Sequence, residues 1–466
     1  MSGWEVERRL EGPRNGQEAS APPPYADPAT RGRMVEYLGG EDIRTATAVY
    51  VQGWGERPDS ADPPRRRPAA LPDLLECDCE VVRSLWDRRS LVAHLDVEYV
   101  NFDFPGEAYL DPHRTFGLQR PVVRAIRTLL GLYRIAPLHL RTGRGHHFVW
   151  TVDRGSLAFR RLEGLGRVPG PLAAAYAARH PPRHLPVDPA LGRAFAGLGL
   201  VMEYLGHLVR YTAGPESPIP VELSEVAVGP PARGLEIVAV DLSEYGDALH
   251  TRRVILPFSR YLKPSRMRNV IGEHVERGIP PTWVILDPGL SDWEAVRRMR
   301  DAESVSELAR ETHARMPEHG TEMENLISDY EGSELSQFHD YFYAEEHEPP
   351  ERWPLSYDRT PIDELPPAVA DTLRHPNDRL LRPTDLLRVV EVFLERGWHP
   401  RHIAGLIRSR YERDYGWGAR WYQDNATCRA DYYTRLFAGT IALGRGTPHA
   451  RRGTRRRRRR SVGLRG

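Results

Sequence analysis

Over the first 70 residues apolar and polar positions follow no period. Proline, glycine, arginine and aspartate break up the pattern (APPPYADPATRGR, RPDSADPPRRRPAALP), and this composition predicts a largely disordered segment with a short helix around 33–52. From about residue 72 the pattern becomes regular. ECDCEVVRSLW reads as the start of a helix. In LVAHLDVEYVNFD, 91–103, β-branched and apolar residues are interleaved with acids, which predicts a strand. QRPVVRAIRTLLGLYRI, 119–135, sets Val122, Val123, Ile126, Leu129, Leu130 and Tyr133 at helical spacing, with Pro121 in the first turn. PLHLRTGRGHHFVWTV predicts a strand, a glycine-containing turn and a second strand. Residues 155–210 read as helical, GLEIVAVDL (234–242) as a short strand, and RRVILPFSRYLK as a strand running into a loop. The pattern divides the chain into an N-terminal segment (1–70), a mixed α+β domain (71–300), a helical and proline-rich linker (301–365), a small all-α C-terminal domain (366–445) and a tail (446–466), with both termini expected to be disordered.

Composition sharpens this picture. A chain of 466 residues has room for two or three cores. No run approaches the ~18 apolar residues of a membrane span, and the charged opening MSGWEVERRLEGPRNGQ has no apolar core of a secretory signal, so a cytoplasmic location is expected. Three cysteines, Cys77, Cys79 and Cys428, cannot make a disulfide framework or a four-thiolate metal site. Cys77 and Cys79 could supply half a metal site, and two ordinary reduced thiols are the simpler reading. The net charge of +1 conceals an asymmetry: RRGTRRRRRRSVGLRG, 451–466, holds nine arginines and no acid, which leaves the preceding 450 residues at −8. A basic tail on an acidic body suits a polyanion such as nucleic acid.

Three stretches carry candidate chemistry. In HLDVEY, Asp96 and Glu98 lie two apart on a strand, so both project from one face, and two carboxylates so placed repel unless a cation sits between them. Mg²⁺ prefers such hard oxygens. In LRTGRGHHFVW the Gly-Arg-Gly turn lets the backbone come close to a ligand, and Arg144 and the histidines supply donors for phosphate oxygens. His146 and His147 alternate faces, so one of them can look into a site. In EIVAVDLSEYGDALHTRRVILPFSRYLKP, Asp241 ends an apolar strand, with Arg252, Ser259 and Lys263 beyond it. Lys263 is the only lysine among 65 basic residues, which points to a position that wants a compact ammonium rather than a planar fork. Taken singly, each of these residues also suits an ordinary surface or core role.

The order Asp-x-Glu, Gly-x-Gly-x-His, apolar-Asp, Pro-x-Ser-x-x-x-Lys resembles the archaeo-eukaryotic primase superfamily, which includes small primase subunits, primase-polymerases and bacterial repair polymerases. Leu95-Asp96-Val97-Glu98 resembles the first motif. Thr142-Gly143-Arg144-Gly145-His146-His147 resembles the second, with His147 as its histidine and Thr142 where serine is usual. Val240-Asp241 resembles the third, with Asp247 as a competitor, and Pro257-Phe258-Ser259 with Lys263 resembles the segment beyond. The resemblance spans 95–263. It implies an RRM-like antiparallel-sheet catalytic core with a helical insertion, and a template-directed nucleotidyltransferase. It also implies two Mg²⁺ or Mn²⁺ ions held by Asp96, Glu98 and Asp241, and nucleotide contacts from Arg144, His147, Arg252, Ser259 and Lys263. Single-stranded template and nucleoside triphosphates are the implied partners, no membrane is involved, and a helicase or other replication partner is left open. Residues 366–445 resemble helical domains attached to such primases, but Ala368 stands where iron–sulfur members carry a cysteine, so no cluster is expected. The aromatics of RYERDYGWGARWY, 410–422, suit either base stacking or a helical core. A metal-dependent phosphodiesterase or nuclease, and an inert primase-like nucleic-acid binder, are the alternatives.

Overall fold

The computed structural model describes residues 22–56, 63–177, 188–228, 233–246, 253–418, 421 and 425–443. Among the described residues, nine strands form two sheets. The smaller is antiparallel and joins β1 (Val51–Trp54), β2 (Glu80–Arg83) and β8 (Val254–Ile255) in that order. The larger has six strands in the order β6-β7-β3-β5-β4-β9, built from β3 (Ser90–Asn101), β4 (Leu138–Arg141), β5 (Gly145–Asp153), β6 (Val221–Glu222), β7 (Glu236–Asp241) and β9 (Ile285–Leu286). Only the β6–β7 pair is parallel. The protein is therefore α+β, with β3 at the centre of the large sheet. Ten of the twelve residues of β3, Leu91–Val100, are buried on both faces along with Asn101, which explains why its apolar positions outnumber a strict alternation.

Among the described residues, fourteen α-helices of six or more residues surround the sheets: α1 (Pro28–Tyr37), α2 (Leu71–Glu76), α3 (Pro112–Leu132), α4 (Leu157–Leu165), α5 (Gly170–Ala177), α6 (Pro189–Ala213), α7 (Asp292–Arg298), α8 (Ala302–Glu311), α9 (Gly320–Glu331), α10 (Glu334–Tyr343), α11 (Pro367–Arg374), α12 (Pro383–Glu395), α13 (Pro400–Tyr411) and α14 (Ala426–Ala442). Helix α3 starts seven residues before the predicted start. Asp111 caps it, its carboxylate accepting from the Arg114 amide, so Pro121 falls inside the helix and removes one ladder bond there. The expected stripe survives in part, since Val122, Ile126 and Leu130 are buried while Val123, Leu129 and Tyr133 are half-buried.

Two other expectations are corrected. ECDCEVVRSLW does not open a helix: α2 stops at Glu76, Asp78 turns with a left-handed φ of 49°, and the chain leaves as β2. Residues 22–56 and 63–70 are not disordered but form part of the fold. Met34, Tyr37, Leu38 and Val51 are fully buried, and the Arg83 guanidinium donates to the Tyr37 carbonyl at 2.5 Å. Composition misleads here because the apolar surface that covers α1 comes from distant residues, α8 among them. The stretch 301–365, expected as a helical and proline-rich linker, carries three helices, α8, α9 and α10, followed by three short 3₁₀ turns. Among the described residues, no helix is long and apolar enough to cross a membrane.

Candidate functional site

Strand pairing brings the sequence-distant acids together. Asp96 lies directly across from Asp241 on one side and from His147 on the other, so one row of the sheet reads Asp241, Asp96, His147, Leu140. Glu98, two residues on, shares this face, and the ligand oxygens of Asp96, Glu98 and Asp241 lie within 4.8 Å of one another. All three are buried, at 8%, 4% and 1% exposure. Packing three carboxylates this closely is unfavourable unless positive charge reaches them.

Some of that charge comes from the chain itself. Lys263 Nζ lies 2.9 Å and 3.3 Å from the two oxygens of Glu98, and the Arg144 guanidinium donates to Glu98 as well as to Glu225 at 2.8 Å. Burial alone would raise the Glu98 pKa, but Arg144 and Lys263 overcome it and hold the group well below the usual carboxylate range. Among the described residues Asp96 has no guanidinium or ammonium partner, and His147 only partly opposes the shift. Burial first, and repulsion by Glu98 second, push its pKa up. Its Oδ1 sits 3.4 Å from His147 Nε2, too poorly aimed for a hydrogen bond, and is otherwise unsatisfied. The buried His147 Nδ1 also has no hydrogen bond. The unsatisfied Asp96 Oδ1, with the Glu98 and Asp241 oxygens within 4.8 Å and their charge only partly balanced, makes the oxygen donor set a hard divalent cation takes, so the residues present fit the implied ions.

Lys263 is placed by its surroundings. It begins the helical turn Lys263–Arg266, where Glu80 accepts from the Leu262 amide at 2.7 Å and from Arg266 at 2.6 Å. Just upstream, Phe258 is fully buried with φ at 65°, a conformation that costs a non-glycine residue on the order of 1 kcal/mol or more. Ser259 is also fully buried, and its Oγ accepts from the Val81 amide at 2.7 Å, which ties this turn to β2. Arg252 and the competing acid Asp247 lie outside the described residues, as does the arginine tail.

The glycines of the turn act differently from expectation. A Cβ on Gly145 would lie 1.9 Å from the Val97 carbonyl oxygen, and one on Gly143 would lie 2.4 Å from the Tyr261 ring. The close approach they permit is to the protein's own β3 and Tyr261. Gly145→Ala should therefore force β5 away from β3 and lower stability by roughly 2 kcal/mol or more, read by urea unfolding. A wild-type transition midpoint would remove that account of the glycine.

His146 and His147 face opposite sides, as expected. Sequence reasoning missed His94 and Glu244, which stand behind His147: the His94 and His147 rings are 4.6 Å apart, and His94 Nδ1 is 3.0 Å from Glu244 Oε1. The period-two spacing of His94, Asp96 and Glu98 carried that signal, whereas Glu244 follows β7 in a turn that no spacing marks. Tyr411, Trp417 and Trp421 are buried and in mutual ring contact, with centroids 4.4–5.9 Å apart, which favours the helical-core reading of that segment. Comparison of the chain with protein-family models, curated proteins and solved structures finds no match, so the reading of this site rests on its own residues and geometry.

Proposed function

We propose that the chain is a template-directed nucleotidyltransferase of the primase and primase-polymerase type, with an RRM-like core as its catalytic domain. The observation that carries this reading is the convergence of Asp96, Glu98 and Asp241 on adjacent antiparallel strands, with His147 on the same face and Lys263 reaching it from the segment beyond β8. Asp96, Glu98 and Asp241 would hold two divalent ions, Mg²⁺ or Mn²⁺, which when bound supply Lewis acidity toward a 3′-hydroxyl and a triphosphate. The chain's own residues then position and neutralise. Arg144 keeps Glu98 ionised. Lys263, partly exposed and anchored through Glu80, turns an ammonium toward the triphosphate. His147 stands beside the acids on the same face, with its Nε2 3.4 Å from Asp96 Oδ1. Ser259 contributes through the fold of the turn that carries Lys263. Phosphoryl transfer asks little more of a protein than this placement of charge.

The test is a priming assay on single-stranded DNA with ribo- and deoxyribonucleotides in parallel, with and without Mn²⁺. Metal-dependent synthesis on an unprimed template, or elongation of a labelled primer, is expected. Shortening of the labelled strand would replace the proposal with a nuclease, and binding without any change in length would leave a catalytically inert nucleic-acid binder. Lys263→Arg probes the lone lysine. A guanidinium cannot set one nitrogen between the two Glu98 oxygens as the ammonium does, so synthesis should fall about 10-fold or more. Full activity in Lys263→Arg would show that any cation suffices there.

A further inference from the structure

The opposite face of the same sheet holds a second cluster of functional side chains that the acid site does not use. There the row reads Val240, Val97, His146, Arg141, Ile285, and His139 stands two residues before Arg141 on β4. Helix α3 crosses this face, with Phe116 edge-on to the His146 ring at 5.3 Å. Between α3, β4 and the loop before α7 lies a cavity of about 510 Å³, lined by Arg120, Arg124, Arg127, Arg141 and His146 with Asp292 at its rim. That volume suits a small-molecule ligand.

The charge is unevenly matched. Arg141 is fixed by Asp287 at 2.6 Å and Asp292 at 2.7 Å, and the exposed Arg120 also reaches Asp292 at 2.7 Å. Arg124 meets Glu216 at 3.2 Å, but both side chains are more than half exposed, so that pair is weak and free to rearrange. Among the described residues Arg127 has no carboxylate partner. Its guanidinium lies 3.1 Å from His139 Nδ1, and Asp287 Oδ2 lies 3.3 Å from the same nitrogen; Asp287 Oδ2 is already held by Arg141 at 2.6 Å and a guanidinium can only donate, so the Arg127 bond makes Nδ1 an acceptor and places the ring proton on Nε2. His139 Nε2 then donates to His146 Nδ1 at 2.9 Å, so the remaining proton of His146 sits on Nε2, the nitrogen with no protein partner in a side chain that is 98% buried and lines the cavity. Burial, with Arg127 and Arg141 near His139 and with His139 and Arg141 near His146, holds both pKa values well below the usual histidine range, so the relay stays neutral.

His139, His146 and Asp287 are also close enough to share a metal ion. Two guanidinium groups argue against one: Arg127 occupies His139 Nδ1, Arg141 occupies Asp287 Oδ2, and both repel a dication. The same groups attract an anion.

We infer that the cavity between α3 and the outer strands binds a phosphate-bearing small molecule of nucleotide size, with Arg124, Arg127 and the His146 Nε2–H as its donors. Guanidinium forks and an imidazole N–H converging from two sides match the oxygens of a diphosphate. This site is separate from the acid site and needs no divalent ion.

The experiment is calorimetric titration of the full chain in EDTA with inorganic pyrophosphate and, in parallel, with ADP. Saturable one-to-one binding is expected, weakened at least 10-fold in the double variant Arg124→Ala/Arg127→Ala and unchanged in Asp241→Asn. Both arginines lie on the exposed side of α3, so the double variant leaves the core intact, and its melting temperature verifies this. Tighter binding of ADP would identify a nucleotide as the ligand, whereas equal binding would identify the diphosphate alone. Absence of binding to both probes, equal binding in the double variant, or Zn²⁺ binding that His139→Gln abolishes would each overturn the inference.

Discussion

Asp96→Asn is expected to abolish metal-dependent nucleotide incorporation, by a factor on the order of 10³ or more, while making the folded protein more stable. Asp96 is the acid at the centre of the row, across from Asp241 and beside Glu98, and its Oδ1 is the unsatisfied atom of the group. Loss of its charge would remove one of the three carboxylate ligands of the proposed ions. The stability effect has the opposite sign because burial and Glu98 raise the Asp96 pKa. On unfolding, the group becomes an ordinary aspartic acid with a pKa near 3.9. Above about pH 4 the unfolded chain therefore releases this proton more readily than the folded chain, and stability falls as pH rises through the folded value. Asparagine removes that penalty. Thermal melting at pH 7 without metal should show a gain on the order of 1 kcal/mol, and the gain should shrink below about pH 4, where Asp96 is protonated in both states. A variant that still incorporates nucleotides would remove the metal role of Asp96. A variant that melts below wild type at pH 7 would show that the carboxylates do not repel as their spacing demands.

Arg435→Met should destabilise the protein by about 3–5 kcal/mol, because it leaves a buried carboxylate without its main partner. Arg435 on α14 donates through Nε and NH2 to Glu203 Oε2 on α6 at 3.0 and 2.9 Å, and through NH1 to the Tyr343 hydroxyl at 2.8 Å. His339 Nε2 approaches the other Glu203 oxygen at 3.1 Å. Burial by itself would raise the Glu203 pKa, but Arg435 and then His339 reverse this and lower it to about 2. The pair thus contributes stability that is present above the unfolded glutamate value of about 4.3 and is lost as pH falls toward 2. Urea unfolding should show a large gap between wild type and Arg435→Met at pH 7 that narrows at pH 3. The double variant Glu203→Leu/Arg435→Met, with neither charge buried, should recover most of the loss. An Arg435→Met midpoint within error of wild type would mean that the α6–α14 contact adds little. This pair also bears on domain organisation, since it joins the helical region 366–445 to the helix that follows the central strands.

Much of the fold was legible in the sequence because local physics set it. Strands β3, β4, β5 and β7 appeared in the alternation and β-branching of 91–103, 138–153 and 234–242, and the all-α character of 366–445, which holds helices α11 to α14, was also legible. Helix α3 was found but its start was not: the seven residues gained at its N-terminus depend on the cap at Asp111, which competes with other turn signals nearby. The N-terminal segment was misread because its few apolar residues are covered by distant parts of the chain, a property no local window contains.

The candidate site divides in the same way. The sequence by itself determined that Asp96 and Glu98 share a face, that His146 and His147 do not, and that Lys263 differs from every other basic residue, because side-chain direction along a strand and residue identity are local facts. Only the tertiary structure decided that Asp241 lies across from Asp96, that Lys263 and Arg144 both neutralise Glu98, that Gly145 is required by Val97, and that Arg127 fixes the tautomers behind a second cavity. Those relations depend on strand order and register. Both are set by how the buried faces of many elements close on one another, and no single stretch of the chain encodes them.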